Sequence, residues 1–142
     1  MTIDNLPDFI LYPSEDRDAF LQLANQLQAD YDPRTADETE VYRNILISSW
    51  LRKRYEKVRT SLYDTKNLLV QSEPNSPRIP VVVDSIRHFQ IEVDQQKRQI
   101  SSLRRQFRNV RSGEPLLSDE QNEAKFPDNF ARRDRRELAP AA

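Results

Sequence analysis

Apolar residues recur at helical spacing in three stretches of the chain and leave polar residues on the other faces. The first stretch predicts an amphipathic helix over residues 15–30, with Ser14 as its N-cap and acidic residues in its first turn. Its apolar positions step by three, four and four and therefore share one face; they are Phe20, Leu23, Leu27 and Tyr31. Asp32 and Pro33 end this helix.

The second stretch predicts a longer helix over residues 36–69, capped by Thr35 or Asp37. Its apolar seam becomes a regular heptad after Ser48 and consists of Val41, Ile45, Ser48, Leu51, Tyr55, Val58, Leu62, Thr65 and Leu69. A second apolar stripe exists in the N-terminal half only, at Tyr42, Leu46 and Trp50. We therefore expect the first helix to dock against that half.

The third stretch predicts a helix over residues 82–111 whose apolar seam alternates steps of three and four throughout. The seam consists of Ile86, Phe89, Val93, Gln96, Ile100, Leu103, Phe107 and Val110. The segment QSEPNSPRIP at 71–80 contains three prolines and predicts a loop. Because this loop is short, the two seams are expected to pack antiparallel, with Gln96 setting the register or facing an opening.

The predicted fold is all-α, an elongated coiled-coil-like antiparallel hairpin with a shorter N-terminal helix docked on it. Residues 1–13 are predicted to form an extended arm, and residues 14–112 the three-helix domain. Residues 113–142 lack a sustained apolar period and are predicted to be a disordered tail. One domain is expected at this length.

Composition excludes several classes of function. The chain has one glycine, no cysteine and one histidine, which argues against phosphate-binding loops, thiolate metal sites and histidine-based catalysis. We interpret His88 as a surface residue of the third helix. The sequence therefore predicts no enzyme activity, no cofactor, no metal and no small-molecule substrate.

The N-terminal residues lack the basic and apolar pattern of a signal peptide, and no window approaches 18 consecutive apolar residues. The sequence thus predicts a cytoplasmic protein that does not contact a membrane.

Charge is distributed unevenly along the chain. Residues 1–40 carry ten acids and two bases, whereas residues 41–112 carry fifteen bases and six acids. The candidate contacts for a phosphate or a partner lie on the second and third helices: Arg52, Lys53, Arg54, Lys57, Arg59, Lys97, Arg98, Arg104, Arg105, Arg108 and Arg111. In an antiparallel hairpin we expect the two clusters to meet at one end, as a concentrated basic patch.

Two interpretations of these basic residues remain open. In the interpretation that we favour, they flank the seam as solubilising residues or pair with the acidic first helix docked at the same end. Alternatively, they bind the phosphate backbone of DNA or RNA without reading its sequence.

Three segments carry a resemblance to a family of short, uncharacterised bacterial proteins. They are YPSEDRDAFLQL at 12–23, DPRTADETEVYRNILISSWLRKRYEK at 32–57 and SSLRRQFRNVRS at 101–112. The chain resembles that family in its acidic helix, its helix with a tryptophan followed by a basic cluster, and its last helix of arginine and leucine at heptad spacing. It lacks the short basic segment with which members often begin. The resemblance implies an all-helical fold and a bacterial origin, and no particular activity.

The leading functional hypothesis is a small, non-catalytic interaction or scaffold protein that uses the surface of its hairpin to bind a protein partner or itself. The alternative is a sequence-nonspecific nucleic-acid-binding protein that uses the basic patch.

Overall fold

A computed structural model describes residues 6–113 as four helices. They are α1 (Leu6–Ile10), α2 (Arg17–Tyr31), α3 (Ala36–Ser72) and α4 (Arg78–Arg111). The helices α3 and α4 form the long antiparallel hairpin, and the shorter α2 packs on α3. The predicted all-α architecture is therefore confirmed. No strand occurs between residues 6 and 113, and none of the helices described there is long and apolar enough to cross a membrane.

The hairpin is held together by the two predicted seams. Near its open end, Val41, Tyr42 and Ile45 of α3 pack with Leu103 and Phe107 of α4 in one buried cluster. Farther along, the ring of Tyr55 lies against that of Phe89, with their centroids 6.0 Å apart. These contacts fix the register of the two helices, because each places a residue of α3 level with a residue of α4.

The helix α2 runs antiparallel to α3 and covers only its N-terminal half. Phe20 meets Trp50 edge to face with ring centroids 5.3 Å apart, and the Tyr42 hydroxyl donates to the Ala24 carbonyl at 2.7 Å. At the other end of α2, Tyr31 meets Phe107 edge to face at 5.1 Å. The second apolar stripe of α3 is thus where the first predicted helix docks, as the sequence indicates.

The start of each long helix follows from its local chemistry. Asp16, rather than the predicted Ser14, caps α2, since its carboxylate accepts from the amides of Asp18 and Ala19 at 2.9 and 3.2 Å. Thr35 caps α3 as predicted and accepts from the Glu38 amide at 3.1 Å. These caps satisfy amide groups that have no partner within the helix.

Several predicted boundaries are wrong, since α2 begins at Arg17 instead of residue 15 and α3 ends at Ser72 instead of residue 69. The prediction of an extended arm is corrected by α1, because residues 6–10 are helical and Leu6 is fully buried against Phe20 and Trp50. The helix α4 begins at Arg78 instead of residue 82, since Pro80 lies in its first turn, where the missing amide hydrogen costs nothing. The predicted tail lies outside the described residues from residue 114 onward.

Candidate functional site

The basic residues do not form the predicted concentrated patch, because the register places the residues from Arg104 to Arg111 far from the cluster on α3, with Lys97 and Arg98 between them. Tyr55, which lies among the basic residues of α3, is level with Phe89 of α4. Arg104 lies fifteen residues farther along α4, about 22 Å at 1.5 Å per residue. The cluster around Arg104 therefore lies beside the start of α3, and the cluster around Tyr55 lies near the middle of the hairpin.

Arg54 makes several contacts that join the N-terminal segment to α3. Its guanidinium donates to both carboxylate oxygens of Glu15, at 2.6 and 3.0 Å, and to the Ile10 carbonyl at 2.7 Å. It also lies over the ring of Tyr12, 4.0 Å from the centroid. This single side chain of α3 thereby ties the segment between α1 and α2 to the hairpin.

The pair of Glu15 and Arg54 is largely shielded from water. The two side chains are only 15% and 13% exposed. The hydrogen bond from Arg54, followed by the backbone hydrogen bond from Tyr12, outweighs desolvation and lowers the pKa of Glu15 from its ordinary value of 4.5. The carboxyl group is therefore ionised at neutral pH and neutralises Arg54.

A second pair of this kind lies at the open end of the hairpin. Arg111 of α4 donates to the buried Glu38 carboxylate at 3.0 Å and to the Asp32 carbonyl at 2.6 Å. The hydrogen bonds from Arg111 and from the Arg34 amide lower the pKa of Glu38. The pairing of Arg54 with Glu15 therefore agrees with the interpretation that we favour, whereas the partner of Arg111 is an acid of α3 and not of the predicted first helix.

Most of the remaining basic residues are also engaged. Arg52 pairs with Glu56 on the surface of α3 at 3.0 Å, Arg59 donates to the Gln90 side chain, and Arg104 donates to the Tyr31 hydroxyl at 2.9 Å. Arg98 and Arg105 are half-buried. Within the described part of the chain, the exposed members of the predicted set that make no ion pair or side-chain hydrogen bond are Lys53, Lys57, Lys97 and Arg108.

An open groove of about 800 Å³ begins beside the N-terminus of α2. One end is formed by the segment from Tyr12 to Asp16 and by Trp50, and the groove then continues along α3 as far as Thr65. Its apolar floor consists of Val58 and Leu62 of α3 and Phe89 of α4, which are only half-buried. Lys53 and Lys57 lie on its rim.

The groove combines apolar side chains with charged residues at its edge. The indole N–H of Trp50 is buried at its end and makes no well-formed hydrogen bond. Among residues 6–113, no three histidine, cysteine, aspartate or glutamate side chains cluster in a way that would hold a metal ion. The arrangement can bury an apolar surface and attract negative charge at its rim.

The sequence did not predict the groove. Val58, Leu62 and Phe89 are predicted seam residues, but the heptad pattern does not reveal that the N-terminus of α2 stops short of them. The pairing of Arg54 with Glu15 joins residues 39 positions apart, and no local pattern indicates such a contact. Tyr12, which forms part of the groove, lies in the segment predicted to be an arm.

No family model, curated protein or solved structure matches the chain in the comparisons.

Proposed function

We propose that this protein is a small, non-catalytic interaction protein that binds a protein partner, or a second copy of itself, through the groove beside α3. The observation that carries this proposal is that α2 covers one half of the hairpin and leaves an apolar groove of about 800 Å³ along the other half. An exposed apolar groove bounded by polar residues is typical of protein interaction sites. A cytoplasmic location, as expected from the sequence, belongs to the same proposal.

Photo-crosslinking from the groove tests this function. A photoreactive phenylalanine analogue replaces Ser61, which lines the groove, and in a control chain replaces Thr60, which does not. The two positions are well matched, because both are exposed and each hydroxyl donates to the backbone carbonyl four residues earlier. We expect a discrete protein adduct from position 61 and none from position 60.

Two results would contradict this proposal. They are the same set of adducts from both positions, or no protein adduct from position 61 in cells that contain the chain at its normal level. An adduct of twice the chain's mass would identify the partner as a second copy.

Nucleic-acid binding is the second candidate function, and it is supported by the exposed Lys97 and Arg108 of α4. The wide separation of the basic clusters weakens it, because fewer cations can reach one stretch of phosphates. Binding of a labelled DNA or RNA duplex at low and at raised salt tests it, with Arg104, Arg105 and Arg108 replaced by glutamate. Steep loss of binding with salt would support phosphate contacts, and no binding at low salt would exclude them.

A further inference from the structure

The open part of the groove continues the line of α2 along α3. The N-terminus of α2 lies beside Trp50 and Arg54, as the contacts of Phe20 and Glu15 show. From Arg54 to Thr65 the groove follows α3 for eleven residues, which is about 17 Å at 1.5 Å per residue. A helix of about three turns fits this length.

The floor of the groove selects for an apolar surface. Val58 and Leu62 are one turn apart on α3, and Phe89 of α4 stands beside them with its ring against Tyr55. These side chains are half-buried in the chain alone. A helix with apolar residues at every third or fourth position would complete their burial, as Phe20 and Leu23 of α2 do for Leu46 and Trp50.

The rim of the groove carries uncompensated positive charge. Lys53 and Lys57 are exposed, lie one turn apart and have no ion pair with any side chain that the structure describes. Of the acids that also line the groove, Glu15 neutralises Arg54, whereas Asp16 caps α2 and keeps its negative charge, so Lys53 and Lys57 leave the lining with a net charge of +1. Negative charge on an occupant would therefore be attracted to this end of the groove.

We propose that the groove binds an amphipathic helix of about three turns from a partner protein, with acidic residues at the end nearest Lys53 and Lys57. This inference rests on the proposed function and adds the chemistry of the partner. The chain's own α2 is an example of such an occupant, because it lies on the adjacent half of α3 and the segment 14–31 carries four acids and one base.

A pair of designed peptides provides the test. One is a labelled amphipathic helix of about twelve residues with leucine at every third or fourth position and glutamate elsewhere, and its twin has lysine in place of glutamate. Fluorescence anisotropy with the full chain is expected to show saturable binding of the acidic peptide and at least about tenfold weaker binding of its twin at low salt. The emission of Trp50, the only tryptophan, is expected to change on binding, because Trp50 lines the groove.

Two double variants with the same change of charge separate the groove from the rest of the basic surface. Lys53→Glu with Lys57→Glu is expected to weaken binding of the acidic peptide about tenfold, whereas Lys97→Glu with Arg108→Glu leaves it unchanged. All four positions are exposed, so both variants are expected to keep the helical circular dichroism of the parent chain. An equal loss in both variants, or no saturable binding, would overturn the inference.

A third variant separates the proposal that the groove is a binding site from the proposal that its partner is an acidic helix. Ser61→Tyr fills the groove without changing its charge. If the lysine peptide binds as tightly as the acidic one and Ser61→Tyr abolishes both, the acidic partner is wrong while the groove remains a binding site. If Ser61→Tyr affects neither peptide, the groove itself is refuted.

Discussion

Replacing Glu15 by glutamine removes a charge from the contact that holds the N-terminal segment on α3. The carboxylate of Glu15 accepts two hydrogen bonds from Arg54 and one from the Tyr12 amide. Glutamine has nearly the same size but carries no charge. The guanidinium of Arg54 would then remain in a shielded position without its counter-ion, while its bond to the Ile10 carbonyl stays in place.

The exposure of the pair sets the size of the expected effect. Removing one member of a fully buried ion pair costs roughly 3 to 5 kcal/mol, whereas an exposed pair is worth roughly 0 to 1 kcal/mol. The side chains of Glu15 and Arg54 are 15% and 13% exposed, which is close to the buried limit. Because glutamine still accepts a hydrogen bond, we expect the free energy of unfolding to fall by about 2 kcal/mol.

Urea denaturation, followed by circular dichroism and by Trp50 emission, measures this change. The loss corresponds to a midpoint lower by about 1 M urea. The control is Glu56→Gln, which removes an acid from Arg52 in a pair 3.0 Å long whose side chains are 32% and 41% exposed. We expect the control to cost less than about 0.5 kcal/mol. Equal losses in the two variants would refute the reasoning that shielding makes the Glu15 contact strong.

Four further predictions concern the ion-paired carboxylates, the packing of the helices and the N-cap of α3. The pKa values of Glu15 and Glu38 are lowered in the folded chain, so the stability that these carboxylates contribute is present above pH 4.5, their ordinary pKa, and is lost as the pH falls below it. Urea midpoints measured from neutral pH to below pH 4.5 are therefore expected to fall with the pH. Tyr42→Phe removes a buried hydrogen bond to a carbonyl of α2 and is expected to lower the free energy of unfolding by about 1 kcal/mol, without changing its dependence on urea concentration. Thr35→Ala removes the N-cap of α3 and is expected to cost about 1 kcal/mol in the same assay. Phe107→Ala, which opens a cavity between α2, α3 and α4, is expected to cost about 3 to 5 kcal/mol, and a loss under 1 kcal/mol would contradict the packing described here.

The hairpin could be predicted because the spacing of apolar residues within each helix is enough to define the face that is buried. Steps of three and four positions place Ile86, Val93 and Ile100 on one side of a helix whatever the rest of the chain does, and all three are buried. The same holds for Val41 and Ile45. Apolar spacing and proline positions thus determine the helices, their order and their antiparallel packing.

The candidate site was not predictable, because it depends on register and on relative lengths. The sequence shows that Arg54 and Arg104 are both basic, but only the pairing of Tyr55 with Phe89 shows that they lie far apart. Likewise, Glu15 is recognisable as an acid near the start of a helix, but its partner Arg54 follows from the position at which α2 docks. Contacts between residues this distant in sequence can be identified only once the packing of the helices is known.

The unequal lengths of the helices explain the groove and its sharp boundary. Where α2 is present, α3 buries Tyr42 and Leu46 completely, whereas beyond α2 the equivalent layer of Tyr55, Val58 and Leu62 is only half-buried. The position where α2 begins is held by the Asp16 cap, the contact of Glu15 with Arg54 and the anchored segment before it, so the end of the groove does not fray. A binding surface whose edge is fixed in advance loses less conformational entropy when it is occupied. The same contact that stabilises the fold therefore prepares the groove.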